Sequence, residues 1–90
     1  MTKTFESPQI IVLDRGFVYA GRVEIADGFV TITQAKCVRR WGTSNGLGEL
    51  AAKGPQSRTV LDDVGTVVAP MTALIHLIGC KADAWPALAA

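Results

Sequence analysis

The alternation of hydrophobic and polar residues predicts three β-strands in the first half of the chain. An apolar, β-branched run over residues 9–13 gives the first strand. Alternation over residues 17–25 gives a second strand, which the central glycine, Gly21, is expected to bend. Asp27-Gly28 is a strong tight-turn signal, and the stretch 29–40, rich in Val, Ile and Thr, predicts a third strand that forms a hairpin with the second.

The pattern becomes helical after residue 40. Leu47, Leu50 and Ala51 recur at helical spacing, and Gly54-Pro55 ends the repeat. A short helix near residues 46–53 is therefore predicted.

The remaining segments predict two more strands, a loop and two terminal segments. Residues 56–64 are polar and turn-prone and predict a loop with at most a brief strand, whereas 65–69 and 73–79 are apolar and predict strands. The polar segment 1–8 is expected to be a flexible N-terminus. Residues 81–90 are expected to be a C-terminal tail with a short helix.

These elements predict a mainly β fold with a short α-helix. A chain of 90 residues corresponds to one domain with a modest core. A bent second strand and a last strand that has to meet the first describe a small barrel, closed or half-open, of about five strands. The predicted barrel domain covers residues 9–80, with the helix inserted in it.

The order of three stretches, 21–25, 27–32 and 73–78, carries a resemblance to a known fold. It resembles the SH3-type barrels of Sm-like proteins, in which a bent strand and a hairpin are followed by a short final strand that closes the ring. The resemblance implies an Sm-like barrel and, as one candidate activity, binding of single-stranded nucleic acid. The loop and helix over residues 41–64 depart from the Sm pattern.

The charge balance excludes one class of function. Nine basic and eight acidic residues give a formal net charge of +1, which is too low for a generic polyanion binder, so nucleic-acid binding is expected to be weak. Attraction for phosphate has to come from the local placement of basic residues. The candidates are Arg15, Arg22, Lys36, Arg39, Arg40 and Arg58.

Composition also predicts an assembly and a compartment. Hydrophobic residues make up 49% of the chain and charged residues only 19%, which is apolar for so small a domain and predicts a homo-oligomer. Few cysteines and no signal-peptide pattern predict a cytoplasmic protein. The longest apolar run, 73–80, is too short to span a bilayer, so no membrane association is expected.

The most informative segment is 39–51, where two arginines and a tryptophan precede the predicted helix. A helix start attracts anions, arginines bind phosphate in a bidentate manner, and a tryptophan face can stack on a base. The segment therefore predicts a pocket for a phosphorylated small molecule, a cyclic or linear nucleotide. Stacking is assigned to Trp41 and Tyr19, phosphate contacts to Arg39, Arg40 and Arg58, backbone donation to residues 42–48 including Gly42 and Gly46, and polar recognition to Thr43, Ser44 and Asn45. The alternative is a plain strand end and a capped helix whose arginines are merely solvated.

The sequence does not predict catalysis. His76, the single histidine, has apolar neighbours and is interpreted as a core or interface residue. Asp62 and Asp63 are adjacent, so on a strand they point to opposite faces and cannot easily share a metal ion. Cys37 and Cys80 with one histidine are too few for a usual zinc site. We therefore expect no enzyme activity, no cofactor and no metal.

A second resemblance covers most of the chain. The stretches 35–41 (AKCVRRW) and 46–51 (GLGELA), between an aromatic-rich hairpin and a late apolar strand, resemble a family of small, uncharacterised tailed-phage and prophage proteins. The resemblance implies a viral origin, and small phage proteins outside the virion often block host defences. The expected function is therefore a non-enzymatic anti-defence sponge that sequesters a nucleotide-type immune second messenger in the host cytoplasm. The alternatives are an Sm-like nucleic-acid-binding module and a phage structural or assembly protein, in which Trp41 and Trp85 would anchor interfaces.

Overall fold

Six strands and one short α-helix make up the computed structural model of the protein, which describes residues 2–88. The strands form one antiparallel sheet and are β1 (Lys3–Thr4), β2 (Gln9–Leu13), β3 (Phe17–Ala26), β4 (Phe29–Arg40), β5 (Val60–Pro70) and β6 (Leu74–Gly79). The helix α1 (Gly46–Lys53) lies between β4 and β5, and no helix of the described part is long and apolar enough to cross a membrane. Short 3₁₀ turns cover Asp14–Gly16, Met71–Ala73, Ala82–Ala84 and Pro86–Leu88. The mainly β fold with one short helix is confirmed.

The strand order is β5-β4-β3-β2-β6, so the last strand pairs with β2 as the barrel prediction requires. Ile10 lies opposite Ile78, and Ile11 lies opposite Leu77. The register between β3 and β4 shifts next to Gly21, where the bend was expected, and β1 pairs with β3 beyond this point. Within the described residues β5 and β6 do not pair with each other, so the barrel-like sheet is half-open.

Buried side chains lie on both sides of the sheet. Ile10 and Ile11 are neighbours on β2 and point to opposite faces, yet both are fully buried. One core cluster lies under α1 and the C-terminal turns and consists of Ile10, Val18, Ala20, Val38, Leu50, Ala51, Cys80, Trp85 and Leu88. The other cluster consists of Ile11, Leu13, Val23, Val30, Ile32, Ala35 and Ala69. Each fully buried aliphatic side chain stabilises the fold by about 1.5 to 3 kcal/mol before entropic costs.

The segment after β6, predicted to be a tail, packs into the first cluster. Trp85 is 2% exposed, Leu88 is fully buried, and the indole N–H of Trp85 donates to the carbonyl oxygen of Ala51 at 3.1 Å. Trp85 is therefore an internal anchor of the domain. Its alternative role as a subunit-interface anchor is wrong, because a side chain buried in its own chain cannot cover a neighbour. The last two residues of the predicted tail lie outside the described residues.

The strand β5 is longer than predicted. The stretch 56–64, expected to be mainly loop, contributes the first part of β5. Its two adjacent aspartates read as a turn signal, yet each carboxylate binds a basic side chain of β4: Lys36 pairs with Asp63, and Arg39 with Asp62. These cross-strand ion pairs offset the poor strand propensity of aspartate.

Several contacts hold the segment before β2, which was expected to be flexible, against the sheet. Lys3 pairs with Ile25 in the β1–β3 ladder. The guanidinium of Arg22 donates to the carbonyl oxygen of Phe5 at 3.2 Å, and Pro8 is fully buried. Residues 3 and 4 thus form a short strand beside β3, and the residues that follow pack against the sheet; Met1 lies outside the described residues.

Candidate functional site

The predicted site segment connects β4 to α1, and a second loop packs against it. Gly42 has a φ of +71°, and a Cβ atom added there would lie 2.7 Å from the carbonyl oxygen of Arg58 and closer still to the amide nitrogen of Thr59. The hydroxyl of Thr59 donates to the carbonyl oxygen of Trp41 at 2.7 Å. Close backbone contact at a glycine therefore holds the loop that carries Arg58 beside Trp41.

Three exposed residues lie at this junction, and we call them the basic rim: Arg40, Trp41 and Arg58. Arg40 is the last residue of β4 and lies opposite Val60 of β5. Val60 follows Arg58 by two residues in the chain. Trp41 is 44% exposed, and both arginines are exposed. Neither arginine has an ion-pair partner among the described residues, so both guanidiniums can accept an anion.

Arg39 differs from Arg40 because its guanidinium already forms an ion pair with the carboxylate of Asp62. Its Nε lies 2.9 Å from Oδ2 of Asp62, and its Nη2 lies 3.3 Å from Oδ1 of the same side chain. Both side chains are largely exposed, so the pair contributes only about 0 to 1 kcal/mol of stability. Arg39 links β4 to β5 through this ion pair, and its predicted contact with phosphate stays a prediction.

Side chains of the neighbouring residues already form hydrogen bonds at the start of α1. The backbone N–H of Asn45 donates to Oε1 of Glu49 at 3.0 Å, and the hydroxyl of Thr43 donates to the carbonyl oxygen of Gly46 at 2.7 Å. The Asn45 side chain makes no capping hydrogen bond, and Ser44 is exposed. Because a carboxylate already lies at the positive end of the helix, the attraction of this end for another anion is reduced.

Tyr19 lies away from the rim, and another aromatic residue lies at the rim's end of the sheet. Tyr19 is half-buried on β3, between Ile11 and Cys37 on the flanking strands, and packs against the second core cluster. Phe17 is two residues closer to the strand end and is 55% exposed. The difference could not be predicted, because Phe17 and Tyr19 are two residues apart and strand alternation places them on the same face.

The basic rim lies on an open surface. No enclosed pocket is found in the part of the chain that is described. The predicted pocket is thus an exposed junction of two loops, where a bound ligand would keep much of its contact with water. Its electrostatic interactions would be screened accordingly.

The residues weighed for catalysis are dispersed. His76 is exposed on β6, so its interpretation as a core residue is wrong, and the interface interpretation stays a prediction. The carboxylates of Asp62 and Asp63 bind different basic residues. Within residues 2–88 no group of three His, Cys, Asp or Glu side chains could hold a metal ion.

The two cysteines differ in environment. Cys80 is buried, and this burial raises the pKa of its thiol from 9.0 to about 11, against a smaller lowering by a hydrogen bond from the backbone of Ile10. The folded state therefore disfavours the thiolate. Below pH 9 the thiol is protonated in both states, and between pH 9 and 11 only the unfolded chain loses the proton.

We expect this difference to make the fold less stable in alkali. The Cys80 contribution should lower the free energy of unfolding between about pH 9 and 11, by at most about 1.4 kcal/mol per pH unit. Urea denaturation across this range should show a shallower decline for Cys80→Ala than for the wild type, and an unchanged decline for the control Cys37→Ala. Equal slopes for the wild type and Cys80→Ala would contradict the assignment.

Comparisons of the chain with protein-family models, with curated proteins and with solved structures find no match. The resemblances to Sm-like barrels and to phage proteins stay predictions.

Proposed function

We propose that this is a non-enzymatic binding protein that captures a nucleotide-type phosphorylated ligand at the basic rim. The indole of Trp41 stacks on the base, and the guanidiniums of Arg40 and Arg58 bind phosphate oxygens. The observation that supports this proposal is the presence, at one loop junction, of two exposed arginines without acidic partners beside an exposed tryptophan.

The number of available arginines favours a small ligand. Strong binding of single-stranded nucleic acid requires neutralisation of several phosphates along the strand. The rim offers two guanidiniums, and the whole chain has a net charge of only +1. A cyclic or linear nucleotide, with one or two phosphates and one or two bases, suits this arrangement better than a polymer.

The open surface determines how tight the capture can be. Small-molecule sites usually bury most of the ligand between walls. A neighbouring subunit of the predicted homo-oligomer would supply the second wall, since symmetry repeats the rim on each copy. The proposal therefore couples high affinity to assembly.

The phage resemblance extends the proposal to a biological role. Sequestration of a nucleotide immune signal requires stoichiometric binding and no bond cleavage. A small protein with stacking and guanidinium groups is sufficient for this task. We therefore retain the anti-defence sponge in the host cytoplasm as the proposed role.

A structural or assembly role is the second candidate, and exposed apolar side chains favour it. Contiguous exposed hydrophobic residues commonly mark protein interfaces. The large exposed ones are Phe17, Phe29, Trp41, Val64, Val68, Met71 and Ile75. Absence of nucleotide binding together with large assemblies would favour this role.

We expect Arg40→Glu and Arg58→Glu each to weaken nucleotide binding by at least about 100-fold, because each removes a charge-assisted hydrogen bond and adds repulsion. A panel of cyclic and linear nucleotides, screened by thermal shift and then by isothermal titration calorimetry, measures this. Lys3→Glu is the matched control. It makes the same charge change on β1, which pairs with the far end of β3.

The result has three informative outcomes. Retained binding in both arginine variants would show that the nucleotide does not bind at the basic rim. Absence of binding by the wild type at millimolar nucleotide would overturn the proposal. Binding only to oligonucleotides, with a steep salt dependence, would reassign the rim to single-stranded nucleic acid. Circular dichroism of each variant confirms that it is folded.

A further inference from the structure

The strand β6 ends the sheet with one edge unpaired. Its inner edge pairs with β2, from Leu13 opposite Leu74 to Gln9 opposite Gly79. No backbone hydrogen bond from residues 2–88 reaches its outer edge. Such an edge presents a row of N–H and C=O groups to any extended strand that fits it.

The two ends of the sheet differ in how they are protected against pairing. The β5 end carries devices that natural proteins use to block edges: two aspartates, a terminal proline, and a bulge with Gly65 at a φ of +79°. In β6 the sequence is LIHLIG, without an acidic residue, a lysine, an arginine or a proline. Its one register shift, between Val12 and Leu13 on the partner strand, lies at its beginning. The β6 edge is therefore left open while the β5 edge is blocked.

We propose that β6 pairs antiparallel with β6 of a second copy of this chain about a two-fold axis. A two-fold axis perpendicular to β6 makes the two copies of this strand run antiparallel, so that each presents the same edge to the other. The pairing joins two sheets into one continuous sheet. It also covers Ile75, which is 58% exposed, and the half-buried Leu74 and Leu77.

A second copy fits this edge better than a foreign peptide. Peptides added to a sheet edge gain specificity from pockets for alternate side chains, and no pocket is found among the described residues. A free peptide also loses conformational entropy when it becomes a strand, whereas β6 of another copy is already ordered. Fixed charges do not oppose the pairing, because β6 contains no aspartate, glutamate, lysine or arginine and the formal net charge of the whole chain is only +1.

The substitution Ile75→Lys tests this interface. Each dimer would then place two additional ammonium groups at the two-fold contact, where they are desolvated and repel each other. We expect the dissociation constant to rise at least about 100-fold. The control is Val68→Lys on β5, because Val68 is also β-branched, lies on the other end strand and is likewise 58% exposed.

Analytical ultracentrifugation over a concentration series gives the mass of each variant. A dimeric wild type, a folded monomeric Ile75→Lys and a dimeric Val68→Lys support the proposal. A monomeric wild type at high micromolar concentration, an odd number of subunits, or dissociation by Val68→Lys but not by Ile75→Lys overturns it.

Hydrogen exchange of the wild-type protein gives a second test that needs no variant. Amides of β6 that face outward should exchange more slowly as the protein concentration rises, since the partner strand protects them. Concentration-independent exchange in β6 overturns the proposal even if Ile75→Lys does not fold. The outcome does not depend on a nucleotide, so it is separable from the test of the basic rim.

Discussion

Replacing Trp85 by alanine is expected to lower the free energy of unfolding by about 3 to 5 kcal/mol. The indole is 2% exposed within the first core cluster, and its N–H donates to the carbonyl oxygen of Ala51. Its removal leaves a cavity between the C-terminal turns and α1. Domains are typically stable by only about 5 to 15 kcal/mol, so the loss should be plain in urea denaturation followed by circular dichroism.

Two further variants separate the causes of this loss. Trp85→Phe keeps most of the apolar contact and should cost less than Trp85→Ala, through the lost hydrogen bond and a smaller cavity. Trp41→Ala removes the same side chain from a position that is 44% exposed, and it should change stability by no more than about 1 kcal/mol. Equal losses of unfolding free energy for Trp41→Ala and Trp85→Ala would show that Trp41 is a core residue. Its assignment to the basic rim would then be wrong.

The substitution Gly42→Ala is expected to be the second most damaging change, for a reason that lies in the backbone. The new Cβ atom would overlap the backbone of Arg58 and Thr59, so one of the two loops has to move. Overpacking of this kind costs about 1 to 3 kcal/mol, in addition to about 1 to 2 kcal/mol for a left-handed alanine. Nucleotide binding should also weaken, because the movement separates Arg58 from Trp41.

Gly46→Ala provides the matched control. Gly46 has a φ of +79°, close to the +71° of Gly42, but a Cβ atom there meets nothing within 4 Å. Its substitution should therefore cost only the left-handed strain of about 1 to 2 kcal/mol. Similar stability losses for the two variants would mean that the loop around Arg58 does not press on Gly42.

Elements whose signals lie in neighbouring residues were predictable. The turn at Asp27-Gly28 and the helical spacing of Leu47 and Leu50 depend on a few adjacent positions, and the structure has the hairpin and the helix at those places. The pairing of the last strand with β2, the first predicted strand, was expected from the barrel that the strand order describes.

Residues whose role depends on a distant partner were not predictable. Asp62 and Asp63 read as a turn because their partners on β4 are far away in the chain. Trp85 followed by proline has the composition of an interface anchor, and only the packing of the C-terminal turns against α1 shows that it is internal. A residue pattern reports polarity and spacing but not which surface covers a given side chain.

The candidate site divides in the same way. Arg40 and Trp41 were identified from their position before the helix; both are exposed, and their contacts with a ligand stay a prediction. The pairing of Arg39 with Asp62 and the contact of Glu49 with the start of α1 were not predictable, because both depend on side-chain geometry. The approach of Arg58 to Gly42 also depends on how two loops pack. The only local sign of this packing in the sequence is the glycine itself.

The pairing of β2 with β6 has a consequence for the order of folding. It joins residue 9 to residue 79, whereas the β3–β4 hairpin forms between neighbours around residues 27 and 28. Closing so long a loop has a large entropic cost. The β3–β4 hairpin can therefore form early, whereas the outer edge of β2 stays unpaired until β6 is available. During synthesis, a chain that has left the ribosome only as far as β5 still lacks the strand and the tryptophan that complete its interior. The native core can therefore be completed only after β6 and Trp85 have been synthesised.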